Sequence, residues 1–265
     1  MQTLEEYVNS DFYPIDNPDS FDWRNLVDQC KSSLNKSGIC ILKKFVRNNI
    51  IEKMVYEADK SFHLSHSSKE SHNVFFQDIN SFPANHPLRK KEYTSINSIP
   101  YDYINSKDIL HKLYNWDPLM DFLSPILGHR LYRMADPMAA LTINCMNHGQ
   151  NHGWHYDESQ VTITLLIQEP IAGGIFQYVP NLRNIDCDNY LKLDAILNGD
   201  SDNVVTLDLD AGDLLIFAGY FSLHRVTPVE GDKTRYVGTL CYKDKPNIFN
   251  SPEVQQLFYG RINQG

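Results

Sequence analysis

The chain has 265 residues, 42% hydrophobic and 22% charged, as expected of a folded soluble protein with length for a sizeable core. Its formal charge is −9 with no basic block, which argues against nucleic acid or an anionic membrane surface as partner. The cysteines Cys30, Cys40, Cys145, Cys187 and Cys241 are scattered, with no CxxC pair, so free thiols in a reducing compartment are expected rather than a disulfide framework or a zinc knot.

In chain order, "MQTLEEYVNSDFYPIDNPDS" is polar and acidic, without the charged-then-apolar layout of a signal peptide. No run approaches the ~20 apolar residues of a membrane span. A soluble, cytoplasmic protein is expected. "DWRNLVDQCKSSLNKSG" places Leu26, Val27, Cys30 and Leu34 at helical spacing and stops at Gly38. "GICILKKF" predicts a short strand, and "RNNIIEKMVYEADKSF" a helix with Ile50, Ile51, Met54, Val55 and Ala58 on one face. "QDINSFPANHPLRKKEYTS" predicts a loop. "SKDILHKLYNWDPLMDFLSPILG" predicts helix again, broken at Pro118 and closed near Pro125 and Gly128.

From about Arg130 the period changes. "ALTINCMN", "VTITLLIQ", "GGIFQYVP", "NVVTLDLD", "GDLLIFAG", "LHRVTPV" and "TRYVGTLCYK" are short, rich in β-branched and aromatic residues, and separated by turn signals. Strands after a helical half predict a helix-backed β-sandwich or barrel, an α+β chain with one domain. "NLRNIDCDNYLKLDAILNGDSDN" interrupts them as a long, partly helical insertion.

The chemistry concentrates in "NHGWHYDES", Asn151 to Ser159. On a strand His155 and Asp157 share a face, and an imidazole beside a carboxylate suits two positions on one metal ion. His152 has the wrong parity for that ion on a continuous strand, an exclusion that Gly153 weakens. His224, 224 − 155 = 69 residues on, follows the apolar strand Leu214–Phe217 and supplies a third ligand from a neighbouring strand. Two histidines and one carboxylate leave the opposite coordination positions open, as in non-haem Fe(II) oxygenases. Arg235, eleven residues after His224, is aimed by alternation into the same interior, where a guanidinium clamps a carboxylate. Fe(II) with one carboxylate keeps one positive charge and Arg235 adds another, so a dianion such as 2-oxoglutarate would neutralise the site. Any one of these residues alone is as well explained by a hydrogen-bonded strand end or a surface ion pair.

His155-x-Asp157, His224 and Arg235, with "AGDLLIF" leading in, resemble the Fe(II)/2-oxoglutarate-dependent dioxygenase superfamily over roughly Leu141 to Tyr242. That resemblance implies a double-stranded β-helix (jelly-roll) core at 131–245, helical support at 1–130 and a C-terminal tail at 246–265. It implies Fe(II), 2-oxoglutarate as co-substrate and O2, with His155, Asp157 and His224 on the metal and Arg235 on the co-substrate. The outcome would be hydroxylation of an unactivated C–H bond, with succinate and CO2 released. "LTINCMNHGQNHGWHYDES", "GGIFQYVPNLR" and "PANHPLR" further resemble enzymes acting on free amino acids, the halogenases and their hydroxylase relatives. In the halogenating members a small residue replaces the metal-binding acid and leaves room for chloride. Here Asp157 stands at that position, so hydroxylation is expected.

For a free amino acid as the small-molecule substrate, His152, Arg89, Glu158, Asp136 and Thr239 are candidate contacts. Arg89 with Lys90 and Lys91 also fits a solvated basic run, and Glu158 plain solvation. Trp154 fits packing, Arg183 either loop anchoring or site contact, and Cys241 shares the inward parity of Arg235. Desaturation, cyclisation or demethylation on the same scaffold, a cupin-like binding protein and a zinc hydrolase are the competing readings. A homodimer is admitted but not specified.

Overall fold

The chain is described by a computed structural model over residues 6–77 and 82–263. Its helices form where apolar spacing and end signals coincide. Ser20 Oγ accepts from Trp23 N at 3.0 Å to open helix Phe21–Ser37, and Gly38, with φ 73°, closes it in the left-handed region that glycine tolerates. Helix Asn48–Ser61 buries Ile50, Ile51, Met54 and Ala58. The next helical stretch splits into Ile109–Tyr114 and Asp117–Leu127, with Pro118 in the first turn, where its missing N–H costs no hydrogen bond.

The larger sheet has seven antiparallel strands in the order Ile39–Leu42, Leu214–Phe217, Thr162–Gln168, Arg235–Leu240, Leu141–Met146, Glu92–Ile99, His66–His72. A smaller sheet of four runs Val205–Thr206, Phe176–Val179, Leu223–Val226, His152–His155. Together they make the expected jelly-roll arrangement backed by helices. The period of two divides each central strand between two environments. Ile163, Leu165 and Ile167, with Leu214, Ile216, Tyr236 and Leu240, face the helices in the main core. Thr162, Thr164, Leu166, Arg235, Val237 and Thr239 face the interior between the sheets.

Three expectations change. The first half carries sheet strands besides its helices, because His66–His72 and Glu92–Ile99 extend the larger sheet. "HSSKESH" has no apolar alternation because it is an edge strand that buries only Ser68, and polar residues are what such an edge carries. Residues 78–81 of the predicted Asn- and Pro-rich loop lie outside the described residues. "NVVTLDLD" pairs only at Val205–Thr206. The C-terminal tail contains helix Pro252–Tyr259, capped by Ser251 and tied to the edge strand where Ser68 Oγ donates to Leu257 O at 2.6 Å. The insertion carries helix Tyr190–Leu197, as its pattern predicts. Among the described residues no helix is long and apolar enough to cross a membrane.

Candidate active site

His155 ends one strand of the smaller sheet, and the pairing register puts His224 of the next strand directly opposite. Asp157 lies two residues past the strand end, so its position is set by contacts rather than by pleat. Its N–H donates to Gly219 O at 3.1 Å, and Thr162 Oγ donates to its Oδ2 at 2.6 Å. Asp157 Oδ1 stands 3.4 Å from His224 Nε2 and 3.6 Å from His155 Nε2. One ligand atom from each of the three residues falls within 4.8 Å of the others.

Those separations suit a single ion at ligand distances of about 2.0–2.2 Å. The tautomers suit it too. Nδ1 of His155 lies 2.8 Å from Gly153 O and Nδ1 of His224 lies 3.0 Å from Ser222 O. A carbonyl only accepts, so Nδ1 carries the proton on each ring and Nε2 keeps a lone pair for a metal. Burial, reinforced by His152 and His224 beside it, holds His155 well below the usual imidazole range and keeps it neutral. Burial pushes the Asp157 carboxyl up, but the neighbouring His224 and the hydrogen bond from Thr162 outweigh it, and the group sits below its ordinary value.

His152 reaches the same interior through a register shift. His224 pairs with His155 while Val226 pairs with His152, so two residues, Gly153 and Trp154, stand opposite one, Arg225. Such a bulge turns residues 152 and 155 to one side. The His152 ring stacks on His155 at 3.7 Å between centroids, and its buried Nε2 has no hydrogen-bond partner. Burial first, then the nearby His224, lowers its pKa to about 3.

Arg235 opens its strand at 6% exposure and lines the cavity that holds the triad, which measures about 150 Å³. No carboxylate of the described residues pairs with it, and burial alone lowers its pKa to about 10. A buried, unpaired guanidinium is costly in isolation and fits an anionic ligand arriving from outside the chain.

Beyond the triad lies a second chamber of about 260 Å³. His152, His155 and Asp157 lie at its floor, and Phe76, Met134, Leu257 and Phe258 make it apolar. Thr239 lines both spaces and accepts a hydrogen bond from Asn144 Nδ2. Glu158 is exposed at the chamber's border.

Two sequence candidates fall elsewhere. Asp136 is fully buried, and its carboxylate accepts from Met138 N, Ala139 N, Asn250 N and Gln255 Nε2. All its strong acceptor directions are consumed in joining the C-terminal segment to the core, so it does not meet a substrate amine. Arg89 ends a short helical turn at Pro87–Arg89 and lines neither cavity. Arg183 is an anchor: its guanidinium lies over the rings of Tyr156, Tyr220 and Phe75 at 4.2, 3.8 and 4.7 Å. It thereby joins the residues flanking Asp157 and Gly219 to the insertion. Trp154 packs in a buried cluster, as expected. Thr162, Gly219, Phe76 and Lys243 went unnoticed in the sequence. Lys243 shares the inward parity of Arg235, Thr239 and Cys241, which was the available signal.

The family model described as Halogenase D (HalD) matches residues 21–255. No curated protein matches the sequence. Among solved structures, the non-haem α-ketoglutarate-dependent epimerase SnoN from nogalamycin biosynthesis is similar at TM-score 0.58 and 12% identity, covering 83% of each chain. A prolyl hydroxylase from Trichoplax adhaerens, in complex with a hypoxia-inducible-factor peptide, gives 0.55 and 18%, covering 84% of this chain and 90% of that one. An oxidoreductase of the 2OG-Fe(II) oxygenase family from Burkholderia pseudomallei gives 0.51 and 12%, covering 83% and 91%. At these identities the likeness concerns the fold.

Proposed function

The chain belongs to the halogenase D family and has the fold of 2-oxoglutarate–Fe(II) oxygenases, and on that premise we propose that it hydroxylates an unactivated C–H bond of a small polar substrate, a free amino acid. His155, Asp157 and His224 would hold Fe(II), and Arg235 would pair with the distal carboxylate of 2-oxoglutarate. Bound iron supplies the O2-dependent oxidation, coupled to decarboxylation of 2-oxoglutarate to succinate. The observation that carries this reading is Arg235: a buried cation with no carboxylate partner among the described residues, in the same cavity as a three-residue metal set.

The chain's own groups then have distinct tasks. The two carbonyls at Gly153 and Ser222 orient the imidazoles, and Thr162 orients the carboxylate. Phe76, edge-on to His155 with centroids 6.0 Å apart, shields the floor of the chamber from water. His152 offers its unpartnered Nε2 to substrate or co-substrate. A chamber of about 260 Å³ is at the small end of ligand pockets, ~300–1,000 Å³, which favours a metabolite the size of an amino acid. Asp157 separates hydroxylation from halogenation. Its carboxylate would take the place on a bound metal that a halide needs.

The test is an anaerobic titration of the apoprotein with Fe(II) and 2-oxoglutarate, followed by the visible charge-transfer band of the chelate. The band is expected to form, to ignore added chloride, and to vanish in His155→Ala, Asp157→Ala and His224→Ala. Iron bound without a band would sink the oxygenase reading. A chloride-sensitive band in the unmodified protein would move the assignment to halogenation.

A further inference from the structure

We propose that Lys243 binds the α-carboxylate of the substrate, and that the substrate is an amino acid with an aliphatic side chain. The inference rests on the oxygenase reading above and specifies its substrate.

The starting point is one strand face. Arg235, Val237 and Thr239 line the inner cavity, and Thr239, Cys241 and Lys243 line the outer chamber. Alternation carries this stripe from the strand Arg235–Leu240 into the short strand Tyr242–Lys243. At about 3.3 Å per residue, eight residues set the two cations up to ~26 Å apart along the chain. The triad borders both cavities. Arg235 thus faces the inner side of the metal set and Lys243 the outer, and each space receives one cation from the same strand.

Lys243 resembles Arg235 in lacking an acidic partner. Its Nζ donates to Ser159 Oγ at 2.8 Å, and no carboxylate of the described residues lies within ion-pair distance. That is unusual company for a half-buried lysine in a chain with 33 acidic and 24 basic residues. Lys43 and Lys90 each hold aspartates, Lys43 at Asp210 and Asp213 and Lys90 at Asp194. An ammonium facing a cavity with only a hydroxyl for company gains most from an anionic ligand.

The neighbourhood selects which anion. Ser159 follows Glu158, and both line the chamber. The chamber lining thus carries the cation Lys243 and the acidic Glu158, the latter adjacent in sequence to the hydrogen-bond partner of the former. An α-amino acid carries carboxylate and ammonium on one carbon and matches that pairing. With its head group there, the side chain runs towards His155 and Asp157 between Phe76, Met134, Leu257 and Phe258. These walls offer dispersion contacts and no charge, which suits an aliphatic chain. Arg89 and Asp136, the other charged candidates, are outside the chamber.

A rival role for Lys243 is to tether the loop carrying Asp157 through Ser159, and the test separates the two. L-leucine, L-isoleucine, L-norleucine and their amides are titrated anaerobically into the Fe(II)–2-oxoglutarate complex, and the perturbation of its visible band gives Kd. The unmodified protein is expected to bind at least one acid about tenfold or more tighter than its amide. Lys243→Met should weaken the acid about tenfold and leave the amide unchanged, Lys243→Arg should restore preference for the acid, and Ser159→Ala should keep it. Equal binding of acid and amide, a Ser159→Ala loss as large as that of Lys243→Met, or a chelate that forms but ignores every amino acid would overturn the proposal. A chelate that never forms would instead remove the oxygenase reading beneath it.

Discussion

Gly219 makes room for the Asp157 carboxylate. A Cβ at position 219 would lie 2.6 Å from Asp157 Cγ and 3.0 Å from its Cβ, while the Gly219 carbonyl accepts the Asp157 N–H at 3.1 Å. The same backbone therefore holds the acid and leaves space for it. Its value to the metal set lies in the missing side chain, since Gly219 does not occupy the left-handed region.

Gly219→Ala is accordingly expected to push the carboxylate away from His155 and His224 and weaken Fe(II) binding by about 10–100-fold, the range for disturbed support of a metal ligand. Equilibrium dialysis against Fe(II), alongside a melting curve of the apoprotein, checks it. A well-folded variant that binds iron like the unmodified protein would refute the positioning role.

Arg235→Met should move stability and function in opposite directions. Removing a buried cation without a carboxylate partner should stabilise the apoprotein by about 1–3 kcal/mol, because a thioether fills similar volume without the desolvation cost. Loss of the charge pair should weaken 2-oxoglutarate chelation by about 10²-fold. Urea unfolding of the apoprotein and the visible titration measure the two effects. A less stable variant would mean that the guanidinium has a stabilising partner.

The apoprotein should become less stable as pH falls. Burial keeps His152 neutral down to a pKa of about 3, against ~6.5 in the unfolded chain. Between those values the unfolded state binds the extra proton, so stability rises with pH and is lost progressively as pH drops through ~6.5. From pH 7 to pH 5 this one group contributes a loss of about 2 kcal/mol. Urea unfolding at the two pH values should show the loss, and His152→Phe should remove that share of it. An unchanged pH dependence in the variant would contradict the assignment.

The metal set was legible in sequence because its spacing encodes strand geometry. His155 ends its strand, His224 follows an unmistakable apolar one, and Arg235 shares parity with Val237 and Thr239 on the next, while Asp157, two residues past the strand end, is placed by Gly219 and Thr162 rather than by the pleat. Period two carries such information wherever one face is buried. The same logic failed at His152. A register shift that depends on which strand pairs opposite it cancels the parity rule, and no local residue pattern announces that. It failed again at His66–His72, where an edge strand buries too little to need apolar alternation.

What the sequence determined by itself is the chemistry: two imidazoles and an inward arginine at strand spacing, with a carboxylate two residues beyond the first histidine. Tertiary structure alone decided which polar residues remain free to act. Asp136 is consumed by four hydrogen bonds to groups near in space, two of them from the distant C-terminal segment. Lys243 meets a cavity roofed by a helix that the sequence presents as a tail. Whether a charged side chain is satisfied or waiting depends on neighbours far along the chain, and those neighbours are fixed only when the sheets close.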